Sequence, residues 1–355
     1  MIQEARGNIL KVDAEALVNT VNCVGFMGKG IALQFKQAYP TNFLAYQKAC
    51  RDGEVRPGQM FVFKTGVMVN PRYIINFPTK RHWRGKARLE DIEAGLLALV
   101  DVVKNLHIQS IAVPPLGCGN GGLDWDVVRP MIISSFEKLP DVFVLLYGPY
   151  GAPEATTMPI GTERPAMTVA RALLLKLIGR YSELAYKLSL LEIQKLAYFL
   201  QESGERLRLQ YRPDFYGPYA PNLNKVLEML EGHQIRGYGD SQKPDAQIAL
   251  LPGALREAED FLSGEPSRAE RLRRVENVIE GFETPYGMEL LATVHWVCCC
   301  SEPRATDAES AIAAVHAWSA RKQAMFRPSH IRIAWNRLKE EGWLDEPRTA
   351  QVPSH

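Results

Sequence analysis

Along the first part of the chain the apolar residues switch repeatedly between the spacing of strands and that of helices. Residues 2–9 open the pattern, and residues 16–21 (ALVNTV) read as a buried strand closed by Asn22. MFVFKT at 60–65 and YIINF at 73–77 are rich in β-branched and aromatic residues, as strands are. Residues 110–113 and VFVLLY at 142–147 continue the series. Between these runs the period lengthens. A helix is expected from Ile31 to near Tyr39, where Pro40 restricts the residue before it, and Thr41 is expected to cap a second helical piece through Ala49. Leu89, Ile92, Leu96, Leu99, Val100 and Val103 share one face of a helix over 89–106, and another helix is expected over 126–137. Such alternation predicts a three-layer α/β domain whose loops gather at one sheet edge, where ligands of such sheets bind.

The pattern changes at residue 148. GPYGAPEATTMPIGTERPAM, 148–167, is rich in Pro, Gly and Thr and carries no periodicity, so it reads as a linker. Beyond it the chain is mainly helical, with helices expected over 170–184, 190–202, 220–231, 254–262, 268–281, 288–301, 308–321 and 330–341. Residues 248–250 could form a small β-wing, and IRIAWNRLKEEGWL is similar to the closing helix and turn of a winged helix. The expected division is a domain at 1–149, a linker at 150–167 and a helical domain at 168–355; a chain of 355 residues suits two cores.

Composition narrows the class. A hydrophobic fraction of 46% and a charged fraction of 23% describe a soluble globular protein. The N-terminus, MIQEARGNIL, lacks the basic start and apolar core of a signal peptide, and no membrane span is visible, so a cytoplasmic protein is expected. A net charge of +2 does not demand a nucleic-acid partner. The six cysteines lack CxxC spacing and fit a reducing compartment, with the run Cys298, Cys299 and Cys300 packing as small hydrophobes. No metal-ligand spacing appears, and no cofactor is expected.

Two glycine loops carry the candidate chemistry. PPLGCGNGGLDW, 114–125, lies between an expected strand and an expected helix, where glycines let backbone N–H groups approach an anion. Gly25, Gly28 and Gly30 form a second loop before Ile31; it is neither a GxxxxGK[ST] loop nor GxGxxG, which disfavours a P-loop or dinucleotide site. Asn19 and Asn22, three apart in an extended run, should point to opposite faces. The densest basic run is 80–88, with Lys80, Arg81, Arg84, Lys86 and Arg88 around His82 and Trp83; it reads either as a solvated loop or as a surface for a nucleic-acid backbone and a stacked base.

With GNIL, ALVNTVN, MGKGIA and GCGNGGLDW in this order, the first domain resembles a macrodomain, the ADP-ribose-binding module. The resemblance implies an α/β three-layer macrodomain followed by a mainly α-helical second domain. It places Asn8 and Ile9 at the adenine and Asn22 at the distal ribose. Gly28, Gly30 and Ile31, with Gly117, Cys118, Gly119, Asn120 and Gly121, would surround the diphosphate. Lys80 stands where a subgroup of macrodomain hydrolases carries a catalytic lysine, while Gly121 occupies the position of that subgroup's assisting Asp, with Asp124 three residues on. An unprotonated Lys80 amine could attack the anomeric carbon or remove a proton, and neighbouring Arg81 and Arg84, or burial, would lower its pKa. A salt bridge to bound phosphate is the bland alternative for Lys80.

In the second domain LSLLEIQKLAYFLQ and FYGPYAPNLNKVLEML resemble SocA-like and Panacea antitoxin domains. A macrodomain joined to such a domain resembles the DarG antitoxins. That resemblance implies removal of ADP-ribose from thymidine bases of ADP-ribosylated single-stranded DNA, with a DarT-like ADP-ribosyltransferase toxin as partner and ADP-ribose as product or ligand. Arg81, His82, Trp83 and Arg84 are then DNA-contact candidates. The rival functions are hydrolysis of ADP-ribose esters on protein Glu or Asp or of acetylated ADP-ribose, and non-catalytic reading of ADP-ribose.

Overall fold

The computed structural model describes residues 1–149, 158–183, 188–239, 247–263 and 266–344. Eight residues of the expected linker, 150–157, lie outside them, as do residue 184 of an expected helix and residues 345–355. Two compact units divide the chain, one holding Met1–Arg164 and the other Pro165–Tyr238 and Lys243–His355.

The first unit alternates β1 (Ile2–Ala5), β2 (Ala16–Asn22), α1 (Gly30–Ala38), α2 (Pro40–Arg51), β3 (Phe61–Lys64), β4 (Tyr73–Lys80), α3 (Leu89–Asn105), β5 (Ser110–Val113), α4 (Trp125–Phe136) and β6 (Phe143–Tyr147). Among the described residues these strands form one sheet in the order β1-β6-β5-β2-β4-β3, with only the β3–β4 pair antiparallel. Parallel strands must be buried on both faces. On one face Val18, Ile75, Ile111 and Val144 pack with Ile92, Leu96 and Leu99 of α3 and Val128 and Ile132 of α4. On the other, Leu17, Ile74, Ala112 and Leu145 pack with Phe35 of α1. This is the expected three-layer arrangement. Met158 joins the α1 side, and the N–H groups of Gly161 and Thr162 both donate to the Gln37 carbonyl, so part of the low-complexity stretch packs as ordered structure.

Two local expectations need correction. Residue Thr41 does not cap α2: Pro40 is its first residue, at a position where the missing N–H costs nothing, and Tyr39 is the cap. The strand read as 73–77 runs on through Pro78 to Lys80. Proline is tolerated there because the ladder shifts: Val21 pairs with Pro78 and Asn22 with Lys80, leaving Thr79 as the extra residue of an irregularity in β4.

The second unit is mainly helical, with α5 (Val169–Glu183), α6 (Leu190–Glu202), α7 (Leu223–Leu230), α8 (Ala254–Leu262), α9 (Pro266–Ile279), α10 (Pro285–Cys299), α11 (Ala308–Trp318), α12 (Ala320–Met325) and α13 (Pro328–Glu340). Helix α6 starts with a reciprocal cap between Ser189 and Glu192. Helix α10 is buried all round from Gly287 to Cys299, as the central helix of a bundle should be. Cys298 and Cys299 pack within it as expected. The helix expected over 308–321 is split at Ser319, which is extended and whose hydroxyl accepts the Lys322 N–H to start α12. Residues 249–250 pair with Ile235–Arg236, and a hairpin that sequence did not reveal joins Arg212–Asp214 to Gly217–Tyr219. Both strand pairs precede α13 in the chain, so among the described residues no wing follows that helix. No helix of the described residues is long and apolar enough to cross a membrane.

Candidate active site

The parallel strands end at one edge, and the candidate residues follow from their C-terminal ends. After β1, Asn8 caps a short turn at Ile9–Lys11: its Oδ1 accepts the Leu10 N–H at 3.0 Å, and its Nδ2 lies 3.2 Å from Met158 Sδ. Ile9 is buried beneath it.

Asn22 closes β2. Its Nδ2 donates to the Phe26 carbonyl at 2.6 Å, and its Oδ1 accepts the N–H groups of Val24 at 3.0 Å and Phe26 at 3.3 Å. Tyr46 Oη of α2 donates to the Asn22 carbonyl at 2.6 Å. The side chain therefore shapes the first glycine loop, and one amide hydrogen is left for anything else. The expectation of opposite faces also fails. Asn19 bonds to Asn76, which donates to Asn42 of α2, and Asn22 likewise meets α2 through Tyr46, because the regular alternation ends at the Val21/Asn22 register shift.

The second glycine loop is closed by its own backbone. Cys118 N–H donates to Pro115, Gly122 to Gly119 and Leu123 to Gly117, while the Gly121 carbonyl accepts the Ala87 N–H. A Cβ on Gly121 would stand 2.2 Å from the Gly117 carbonyl oxygen, so this turn admits no side chain, and an Asp there is excluded on steric grounds. Among the described residues, the N–H groups of Gly28, Gly119, Asn120 and Gly121 have no protein acceptor. The two loops abut: Gly30, at φ +58°, would place a Cβ 3.0 Å from Asn120 Nδ2. Ile31 follows in the first turn of α1, half-buried. Cys118 does not add a nucleophile, since burial, followed by the charge of Asp124, raises its thiol to about 11. Asp124 itself caps α4 by accepting the Asp126 N–H.

Lys80 is the last residue of β4, half-buried, with Nζ 3.5 Å from the Trp83 carbonyl. Burial lowers its pKa below 10.5. Of the two causes expected from sequence, the neighbouring arginines do not act: Arg81 is held in a two-pronged pair with the buried carboxylate of Asp91, at 3.0 and 3.2 Å, and Arg84 lies over the Trp83 indole at 4.5 Å. The candidate DNA contacts are thus sorted. Arg81 is committed to α3, whereas His82, Trp83 and Arg84 form an exposed stack. No group of three or more His, Cys, Asp or Glu among the described residues could hold a metal.

The Macro domain family matches residues 18–132. A curated protein of Thermus aquaticus, the DNA ADP-ribosyl glycohydrolase, is 48% identical over 98% of this chain and 97% of its own. The chain belongs to the DNA ADP-ribosyl glycohydrolase family. Similar too is a Thermosipho africanus "DNA ADP-ribosyl transferase-DNA ADP-ribosyl glycohydrolase fusion protein", 34% identical over 38% of each chain. A solved structure, "Macrodomain of Mycobacterium tuberculosis DarG", is 58% identical and covers 42% of this chain and 98% of its own at a TM-score of 0.42.

Within this DNA ADP-ribosyl glycohydrolase family member, two site residues escaped the sequence reading. Asp91, which withdraws Arg81, lies eleven residues after Lys80 on another element, a relation only the fold supplies. Phe26 is exposed at the head of the first loop with its ring 6.1 Å from that of Trp83. An aromatic residue flanked by Gly25 and Gly28 was the available signal.

Proposed function

We propose that the chain hydrolyses the N-glycosidic bond between ADP-ribose and thymidine bases in single-stranded DNA, and that Lys80 is its catalytic residue. The observation that carries the reading is a lysine whose charge is disfavoured by burial, set at the sheet edge that also bears two abutting glycine loops with free N–H donors. Those donors suit a diphosphate, whereas the expected contact from Gly30 is absent because its N–H, the first of α1, donates to the Gly239 carbonyl. Asn8 and Ile9 would meet the adenine. Asn22 would reach the distal ribose with its remaining amide hydrogen.

In the reaction, neutral Nζ of Lys80 attacks the anomeric carbon, and the bond to the base breaks with its electron pair, so that the base takes up a proton. The lysine nitrogen, left bonded to the anomeric carbon, gives up one proton. Its lone pair then closes a C=N bond as the ring C–O bond breaks and the ring oxygen takes up a proton, which leaves a protonated imine at Lys80. Water then adds at that carbon, the C–N bond breaks toward Lys80, and ADP-ribose leaves with the amine restored. A Lys80 amine acting as base on water or on a sugar hydroxyl gives the same products without the adduct. Borohydride treatment during turnover separates the routes, because only the first yields a protein trapped at Lys80.

The experiment that tests the function compares ADP-ribosylated single-stranded DNA with a protein ADP-ribosylated on Glu or Asp. Release from DNA, lost in Lys80→Ala, is expected. Release from protein alone would favour the ester hydrolase, and release from neither would leave a reader of ADP-ribose. The fusion of a transferase to a glycohydrolase in a relative supports a DarT-like toxin as partner of this chain, and we assign its restraint to the helical unit. Full-length Lys80→Ala protein should still suppress that transferase in proportion to its concentration.

A further inference from the structure

Phe26 and Trp83 are, respectively, 59% and 37% exposed, and they come from two separate segments that meet ring to ring at 6.1 Å and an interplanar angle of 49°. Two large rings held side by side in water gain little from folding. Their backbones are nevertheless fixed. The Phe26 carbonyl accepts from Asn22 Nδ2 and the Trp83 carbonyl from Lys80 Nζ, so each ring is tethered to one of the two residues that face each other across β2 and β4. On Trp83, His82 stacks at 5.5 Å and Arg84 lies over the indole at 4.5 Å, which stiffens it and adds positive charge. Exposed Lys86 and Arg88 extend that charge along the same segment, whereas Arg81 is neutralised by Asp91.

We propose that Phe26 and Trp83 form a stacking platform for an unpaired nucleobase of the strand that carries the ADP-ribose, and that Phe26 thereby sets the preference for nucleic-acid substrates over protein-linked ones. The inference rests on the hydrolase reading above. The rings are tilted and too close to admit a base between them, so the base lies against the pair. Aromatic stacking and a cationic flank are the two features that bind single strands without reading sequence, and a base still stacked and paired in a duplex cannot offer its face to a platform. A carboxylate-linked ADP-ribose has no nucleobase on the far side of its anomeric bond to place there. The first loop would then hold the substrate twice, with a base at Phe26 and a phosphate at Gly28.

The test uses the full chain in a Lys80→Gln background, which removes the amine that the proposed turnover needs and is common to every variant compared. Binding of an ADP-ribosylated single-stranded oligonucleotide and of free ADP-ribose is measured with Phe26, Phe26→Ala and Phe26→Tyr. Phe26→Ala should weaken oligonucleotide binding by roughly 5- to 150-fold, several times more than it weakens ADP-ribose binding. Phe26→Tyr should restore it. Equal loss for both ligands, or no loss for the oligonucleotide, would overturn the platform. If wild-type protein released nothing from DNA while the Phe26-dependent preference persisted, the platform would stand and the hydrolase reading would fall.

Discussion

Lys80 faces Asn22 across the β2–β4 ladder because the register skips Thr79. Without that skip, the residue opposite Asn22 would be a threonine, and the amine would fall one position further along the strand. Both partners are also tethers, one for Phe26 and one for Trp83.

Activity should rise with pH. In the proposed reaction the reactive form of Lys80 is neutral, and burial lowers its pKa below the ordinary 10.5. A plot of kcat/KM for ADP-ribosylated DNA against pH should climb to a plateau with a midpoint below that value. Lys80→Arg, which has no neutral form in this range, should lose at least about 100-fold in turnover at every pH. An unchanged rate would remove Lys80 from the chemistry.

Gly121→Ala should open the second loop, since its Cβ would meet the Gly117 carbonyl oxygen at 2.2 Å. Calorimetric affinity for ADP-ribose is expected to fall by about tenfold or more, in line with losing one or two backbone donors. Gly119→Ala, whose Cβ meets nothing within 4 Å, should cost much less. Equal effects would mean that the closed turn does not matter for binding.

Asn76 is the middle of a buried amide chain, accepting from Asn19 Nδ2 at 2.9 Å and donating to Asn42 Oδ1 at 2.8 Å. Asn76→Ala leaves both neighbours without that partner in the core, and each stranded group costs about 1 to 3 kcal/mol. Urea unfolding should show a loss of about 2 to 5 kcal/mol. A loss below about 1 kcal/mol would show that the chain is dispensable.

Lys195 gives the helical unit a pH signature. It is buried with its Nζ donating to the Pro218 carbonyl at 2.7 Å, and burial lowers it to about 7 despite the opposing pull of Glu289. Between about 7 and 10.5 the unfolded chain holds a proton on this lysine that the folded chain does not, so this group's contribution to stability rises with pH across that window. Thermal unfolding of wild type minus Lys195→Met should show the wild type gaining on the variant from pH 7 to 10. A flat difference would refute the shift.

The alternation of strands and helices in the first unit was legible because a parallel sheet buried on both faces leaves long apolar runs, as in residues 73–77 and 142–147. Both glycine loops and the basic run at 80–88 stood out by residue type, whereas Lys80 was singled out within that run by the macrodomain resemblance. The extension of β4 through Pro78 was hidden, since a proline ordinarily ends a strand and only a partner strand with a register shift makes room for it. Similarly, the grip of Asn22 on Phe26 and the capture of Arg81 by Asp91 depend on chain segments folding toward each other. The break at Ser319 was masked by apolar residues whose spacing continues across it, while the extended cap itself leaves no periodic trace.

On the proposed reading the site offers footholds of different kinds, the Phe26 and Trp83 rings for a base and the bare amides of the two glycine loops for a diphosphate. A substrate that occupied both would be bivalent, and the bond to be cut would lie between its two anchors. Each anchor raises the local concentration of the other half, an avidity that cleavage abolishes in a single event. The repaired strand and the released nucleotide sugar would each depart from one weak hold, so a site that grips its damaged substrate can still let go of both products.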